Sequence, residues 1–489
     1  MGRLFGLDPA PAQGCRVLEL GCGDGANALS LAQTLPGAQV LGVDASPGAI
    51  ERGTRLRGAA GLANVELRCA AFEDLGEELG EFDYIVAHGV YSWVPPRARG
   101  ALLDCVKRCL APEGIALVSY NAYPGSYLRD MARDMLRYHV QGSSDPQARL
   151  ASAQELMRTI VEIEQPSPFA RALREQMERM LGYSDALLFH DDLAEVSTPF
   201  YFHEFIEHAS KRALQFLSEA DLFESQMRDV PARAGQLMAG LPEDVIVREQ
   251  YMDFFKNRMF RQTLLCHEAA PVSRALDEAA IEGMWVSSRA GVSEERLDGD
   301  GEERRAPGAT HAPSGGAAPA GAPQATTFVT PEGFSMTTSE PLVQAAMGTL
   351  AAAWPRSVDF ATLLAGAREA AGPEASAELV STRLRGVLLQ AHLARIVMLQ
   401  GCPPPLTGEV TERPAASPLA RAQRDGGLST VSSLLHGSVQ LEGELEGEML
   451  ALLDGTRTLP ELAQGLGSEQ EAVARALERL ASVGLLLAT

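Results

Sequence analysis

The sequence predicts an α/β protein built on a doubly wound, Rossmann-like sheet of seven strands, with a helical insertion and two C-terminal α+β units of winged-helix type. Three observations predict it. Over the first 120 residues short apolar runs alternate with helical patterns, as parallel strands joined by crossover helices do. After about residue 125 the pattern becomes wholly helical, and strand-like runs return only beyond residue 210. A chain of 489 residues is too long for one core and makes about three domains at roughly 150 residues each.

The elements follow in order. RVLEL (16–20), QVLGVD (39–44), NVELRCA (64–70), FDYIVAH (82–88) and GIALVSY (114–120) read as five strands. Helices are expected over 25–35, 46–59 and 97–110, opened by Asp24, by Ser46 before Pro47, and by Pro95-Pro96. This first block spans 1–125. A helical insertion follows over 126–200, and residues 201–287 return to the sheet with LQFLSEA (214–220) and FRQTLLCHE (260–268) as strands six and seven. Residues 288–327 are rich in Ala, Pro and Gly and nearly free of large apolar side chains, which predicts a disordered linker. The winged-helix-like units are expected over 328–405, ending in a strand at ARIVML, and over 418–489, with three short helices and a terminal apolar strand.

Composition narrows the function classes. Hydrophobic residues at 46% and charged residues at 22% suit a globular protein, and no apolar run approaches the roughly 20 residues of a membrane span. The start, MGRLFGLDPAPAQG, lacks the basic flank and apolar core of a secretory signal, so a cytoplasmic location is expected. The seven cysteines form no C-x-x-C, and Cys105 and Cys109 lack further zinc ligands, so buried thiols and no metal are expected. A formal net charge of −22 repels phosphate backbones and argues against nucleic acid. The tail repeats the sign: residues 418–489 carry ten acids to five arginines, which turns a winged-helix unit toward protein contacts or regulation.

The chemistry concentrates in LELGCGDGANALS (18–30). Gly21, Gly23 and Ala26 satisfy the dinucleotide fingerprint G-x-G-x-x-G/A between a strand and a helix, with Asp44 some twenty residues further on. Alone, that spacing permits NAD. Asp24, however, places a negative charge at the helix start, where a pyrophosphate needs bare amides and the positive end of the dipole. S-adenosylmethionine carries no phosphate but offers an ammonium, a sulfonium and a carboxylate, so Glu19 and Asp24 favour it. Glycines here let backbone amides approach the aminocarboxypropyl group, while Glu19 either fixes the loop or pairs with the ammonium. Asp44, ending the second strand, is placed to accept from both ribose hydroxyls. Phe72 packs either on the purine or in the core.

ELGCGDGAN, VDAS and FDYIVAHGVYSWVP together resemble motifs of the class I S-adenosylmethionine-dependent methyltransferases over residues 15–120. Further along, SYNAYPG (119–125), YFHEFIEHA (201–209) and REQYMDFFKNRMFRQTLLCH (248–267) resemble bacterial members coupled to a methyltransferase regulatory domain, a layout similar to rickettsial protein-lysine methyltransferases. The resemblance implies S-adenosylmethionine as cofactor and a contact set of Glu19, Gly21, Cys22, Gly23, Asp24, Gly25, Asn27, Asp44, Ala45, Ala71, Phe72 and His88. Many such enzymes have a carboxylate for the adenine amine where this chain has Ala71, leaving Glu73 or Asp74 to substitute. Relatives also have several tens of residues before the first strand that help cover the cofactor, where this chain has about fifteen; either the sequence starts late or the cover is missing, and weak cofactor retention is the expected consequence.

The transferred methyl is expected to face the loop after strand four, because strand C-termini near the topological switch point border the ligand crevice. No catalytic residue is assigned. Tyr91, Trp93, Tyr120, Asn121 and Tyr123 are candidates for an acceptor channel, their aromatic faces suiting a methylammonium product. The expected reaction is methyl transfer to a protein side chain of lysine type. A small-molecule methyltransferase and a non-catalytic cofactor-sensing scaffold are the alternatives, and the oligomeric state stays open. Two other signals fail: His203 and His208 lie about 140° apart on a helix, unlike a zinc pair, and WVPPR lacks the residues that flank the Pro pair of nucleic-acid amine methylases.

Overall fold

The structure, a computed structural model, describes residues 1–163, 167–227, 230–293 and 325–488. Seven strands form one sheet: β1 (Arg16–Leu20), β2 (Gln39–Asp44), β3 (Val65–Cys69), β4 (Phe82–Ala87), β5 (Leu110–Asn121), β6 (Leu214–Glu219) and β7 (Phe260–His267), in the order β3-β2-β1-β4-β5-β7-β6. The first five are parallel, and β7 runs antiparallel between β5 and β6. The strand order reverses between β1 and β4, so the crevice at their C-terminal ends is the ligand position for a sheet of this kind.

Helices α1 (Ala26–Thr34), α2 (Pro47–Ala60) and α3 (Pro96–Cys109) make the crossovers. Ser46 caps α2 as expected, accepting from the Ala49 N–H at 3.4 Å, and Pro95 precedes α3. The start of α1 differs from expectation: Gly25, left-handed at φ 79°, is the N-cap, and Asp24 is an exposed loop residue with no capping bond. Two helices therefore use a side chain or ring to stop fraying, while the first turn of α1 has no side-chain cap and turns its Ala28 N–H to the Glu19 carboxyl.

The insertion contains α4 (Tyr127–Val140), α5 (Pro146–Glu162), α6 (Pro168–Leu181) and the single turn α7 (Asp185–Leu187), and it buries its own core around Leu136, Met157, Met177 and Met180. Then α8 (Phe202–Ser210) lays Phe202 and Phe205 onto the sheet, with α9 (Ala232–Ala239) and α10 (Val245–Lys256) between β6 and β7. Fully buried Arg261 on β7 bonds Glu219 of β6 at 2.6 Å and Asp253 of α10 at 2.8 Å, so each buried charge has a partner.

The expected linker needs correction at both edges. Strand β8 (Trp285–Ser287) is followed by β9 (Gly291–Val292), which pairs with β10 (Thr326–Val329), and β10 pairs with β11 (Ser335–Thr338). Phe328 anchors this small sheet at 1% exposure, and that burial offsets the ordering cost of the short strands. Residues 294–324 of the expected linker lie outside the described residues.

The first C-terminal unit comprises α11 (Pro341–Ala353), β12 (Val358–Asp359), α12 (Phe360–Ala371), α13 (Ala377–Leu393) and β13 (Met398–Gln400), with β8 as the central strand between β12 and β13. Its core is continuous with the seven-stranded sheet through Leu217 and Leu264. The second unit contains α14 (Pro418–Asp425), the hairpin β14 (Thr430–Ser432) and β15 (Ser438–Gln440), then α15 (Gly443–Leu452), α16 (Leu459–Leu466) and α17 (Gln470–Ser482). The apolar terminus forms isolated bridges, Leu486 with Ala416 and Leu487 with Leu406. This unit docks on the helices of the sheet: Leu419 and Ala422 share a core with Ala28, Leu29 and Ala32 of α1. Ser417 Oγ and the Leu419 N–H both donate to Gln33 Oε1 at 2.9 Å.

Candidate active site

The glycine loop sits at the reversal point between β1 and β4. Gly21 has φ 74°, and a Cβ there would lie 2.3 Å from Val90 Cγ2, so both the backbone and the following loop require glycine. Gly23, at φ 57°, faces open space. The N–H groups of Gly21 and Cys22 bond Val43 O, that of Gly25 bonds Cys22 O, and that of Gly23 bonds Asp44 Oδ2 at 2.9 Å. This corrects the expectation that these amides face a ligand: all four are satisfied inside the protein. A loop with its donors engaged offers a phosphate little.

It offers a cation more. Glu19 is 5% exposed; Asn27 Nδ2 donates to its Oε1 at 3.1 Å, and Oε2 has no hydrogen-bond partner. Burial pushes the Glu19 carboxyl up to about 7, and the hydrogen bonds from Asn27 and the Ala28 N–H offset this only in part. An unpartnered buried carboxyl oxygen is costly, and an ammonium beside it removes that cost. Asp44 is held at both oxygens, Oδ2 by Gly23 and Oδ1 by the Ser46 N–H at 2.8 Å, with lone pairs left for two hydroxyls.

The other expected contacts divide. Asp24, Asn27, Ala45 and His88 are exposed at the crevice, and Ala71 is half-buried. Cys22 is buried under the loop with its N–H used, and burial pushes its thiol up to about 12. Phe72 is half-buried with part of its ring against the core. Of the two substitutes for an adenine carboxylate, Glu73 faces Arg97 at 3.8 Å, while Asp74 is exposed. The His88 ring meets Phe260 edge-on with centroids 5.9 Å apart, and partial desolvation on this side of the crevice holds its pKa below the usual histidine value.

The acceptor candidates need a sharper correction. Tyr91 is fully buried, its hydroxyl 3.0 Å from His208 Nδ1 and its ring between Phe200 and Phe205. Tyr120 is 1% exposed, stacked on Phe205 at 4.2 Å with its hydroxyl on Thr263. Both pack the sheet rather than line a channel. Trp93 is half-buried with the Arg133 guanidinium 5.5 Å from its ring, and Asn121 is tied through its backbone to Ser92 and Phe200. Tyr123 alone of the three tyrosines reaches the surface, its hydroxyl donating to Asp130 at 2.9 Å.

Sequence reasoning missed Tyr127, Tyr201 and Phe260, which share this rim. The register Asn121 to Phe260 across β5 and β7 brings the last there, a pairing of residues 139 apart in the chain that no local pattern reveals. His203 bonds Gln250 at 2.8 Å and His208 faces Tyr91, so each histidine of HEFIEH has its own partner; no group of three possible metal ligands occurs among the described residues. No helix among them is long and apolar enough to cross a membrane.

Sheet order, glycine loop and paired acids define the class: a class I S-adenosylmethionine-dependent methyltransferase. Known proteins agree. A methyltransferase domain model matches residues 17–114, a model described as a predicted methyltransferase regulatory domain matches 184–267, and a PKMT C-terminal winged helix model matches 412–481. The regulatory match runs from α7 through α8, β6, α9 and α10 to β7, and so includes the 201–209 and 248–267 stretches that carried the resemblance. Two uncharacterized proteins of Rickettsia prowazekii are similar, one 34% identical over 58% of this chain and 51% of its own length, the other 38% identical over 44% and 88%. The match thus spans about half of the first relative. The structure of PKMT2 from Rickettsia typhi, in complex with AdoHcy, is similar over 100% of this chain and 96% of that one, at TM-score 0.83 and 26% identity. The chain belongs to this family of S-adenosylmethionine-dependent methyltransferases, which joins a regulatory domain and a PKMT-type winged helix to the catalytic sheet.

Proposed function

We propose that the protein transfers a methyl group from S-adenosylmethionine to the side-chain amine of lysine in a protein acceptor. The observation that carries the cofactor half is the buried, unpartnered Glu19 Oε2 beneath an open glycine loop. Bound there, S-adenosylmethionine supplies an electrophilic methyl on a sulfonium. Glu19 pairs with the ammonium, Asp44 orients the ribose, and Phe72 packs beside the adenine, with Asp74 free to accept from its amine. Val90 closes on Gly21 and keeps water from the loop.

The acceptor half rests on the PKMT-type winged helix and the full-length likeness to PKMT2. A lysine with a reference pKa near 10.4 must lose its proton first, at a cost of about 4.6 kcal/mol at pH 7. Partial burial beside a cationic sulfonium lowers that cost. His88, just after β4 at the crevice rim, has its pKa lowered by partial desolvation and borders the position from which the amine attacks. The net charge of −22 suits a basic protein surface and opposes nucleic acid. Seven free cysteines suit the reducing cytoplasm. Incubation with methyl-labelled S-adenosylmethionine and a cell extract, followed by separation of protein from small molecules, tests the reading. Label in small molecules alone assigns a small-molecule acceptor instead.

A further inference from the structure

Next to the methyl-transfer rim the surface carries a row of aromatic rings. Tyr123 follows the end of β5 by two residues, and its N–H bonds Phe200 O, which brings Tyr201 alongside. Tyr127 stacks on Tyr123 at 4.1 Å, Tyr123 meets Tyr201 at 5.5 Å, and Tyr201 meets Phe254 at 6.1 Å. The hydroxyls of Tyr127 and Tyr201 lie 3.2 Å apart, closing the row into one surface drawn from the insertion, α8 and α10. Tyr127 is 53% exposed and Phe254 45%, which is unusual for such rings without a partner.

Acids border the row. Asp130 and Asp134 of α4 line a hollow of about 510 Å³ together with Tyr123 and Tyr127, and Glu204 is exposed at the start of α8. Of the arginines in that hollow, Arg133 is buried and turned to Trp93 and the Ala194 carbonyl, leaving Arg137 as its accessible cation. Exposed aromatic faces edged by carboxylates complement ammonium groups on a chain, not an acidic or apolar one.

We propose that Tyr127, Tyr123, Tyr201 and Phe254 form the track on which a lysine-rich segment of the acceptor protein lies while one lysine enters the methyl-transfer site. The inference rests on the protein-acceptor reading and adds where and how that acceptor is held. Each ring contributes binding rather than chemistry, so its loss raises KM and leaves kcat and S-adenosylmethionine affinity in place.

The test uses the full chain and a blocked decapeptide of alternating lysine and glycine, with a glutamate counterpart as control. Tyr127→Ala and Phe254→Ala should each weaken lysine-peptide binding about tenfold, while Tyr138→Ala, 75% exposed on the same α4, should not. Equal affinity for the two peptides, or for wild type and both variants, overturns the track. A loss of self-association in the variants, seen by sedimentation, assigns the row to a second copy and also overturns it. Label transfer to extract proteins by the wild type reads the underlying function separately: labelled protein with unaltered variants removes the track alone. Peptide binding that the variants weaken, with no protein labelled, removes the acceptor reading and the track's part in methyl transfer with it, leaving only a lysine-binding surface.

Discussion

Glu19 makes cofactor affinity depend on pH in a calculable way. In the free protein burial raises this carboxyl from 4.5 to about 7. A group whose folded pKa is raised favours its protonated form, so the free fold loses stability as pH rises from about 4.5 through 7. At about 1.36 kcal/mol per unit the loss is on the order of 3 kcal/mol. Ammonium binding needs the ionised form, which at a pKa of about 7 makes up roughly a tenth of molecules at pH 6.0 and roughly three quarters at pH 7.5. With the ligand's own α-amino group, reference pKa about 7.7–8.0, roughly two thirds protonated at pH 7.5, affinity for S-adenosylmethionine should tighten about fivefold between these values. Glu19→Gln keeps the shape and removes the charge. It should weaken binding by roughly tenfold to a hundredfold at pH 7.5, from a charge-assisted hydrogen bond of about 1.5–3 kcal/mol, and flatten the pH dependence. Isothermal titration at several pH values reads both effects. A wild-type affinity that is flat with pH, or a Glu19→Gln variant with an unchanged slope, refutes the pairing of Glu19 with the ammonium.

Three further outcomes follow from the same geometry. Asp44→Ala removes the acceptor for the ribose hydroxyls and the tether of the Gly23 and Ser46 amides, so S-adenosylmethionine affinity should fall at least tenfold, with Asp44→Asn intermediate, in the same titration. Gly21→Ala places a methyl at 2.3 Å from Val90 in a left-handed backbone; cofactor binding should be lost, and Val90→Ala should restore part of it. Leu419→Ala empties a fully buried site between α14 and α1, so thermal unfolding should show a loss of about 2–5 kcal/mol, read as earlier release of the C-terminal unit.

What was legible in the sequence was what local patterns determine. Strands β1 and β2 fall on the residues their apolar runs mark, and the glycine loop follows from residues that only one backbone tolerates. Tyr91 and Tyr120 were not legible, because an aromatic at a strand end suits a channel or a core equally. The decision came from Phe205 and His208 of α8, more than 80 residues away in sequence. The internal bonding of the loop amides depends on Val43 and Asp44 of the neighbouring strand, which spacing alone does not show. Likewise β9 is two residues long and takes its order from pairing with β10 across a low-complexity stretch, so composition alone marked it as linker. The docking of α14 on α1 through Gln33 had no signal in either segment by itself.

The central claim is methyl transfer to protein lysine, and one measurement meets it directly: mass spectrometry of extract proteins after reaction of the wild type with isotopically labelled S-adenosylmethionine, with Glu19→Gln as control. The account predicts labelled methyl on lysine side chains, sharply reduced in the control. Label on another residue type, or S-adenosylmethionine bound without any methyl leaving it, contradicts it.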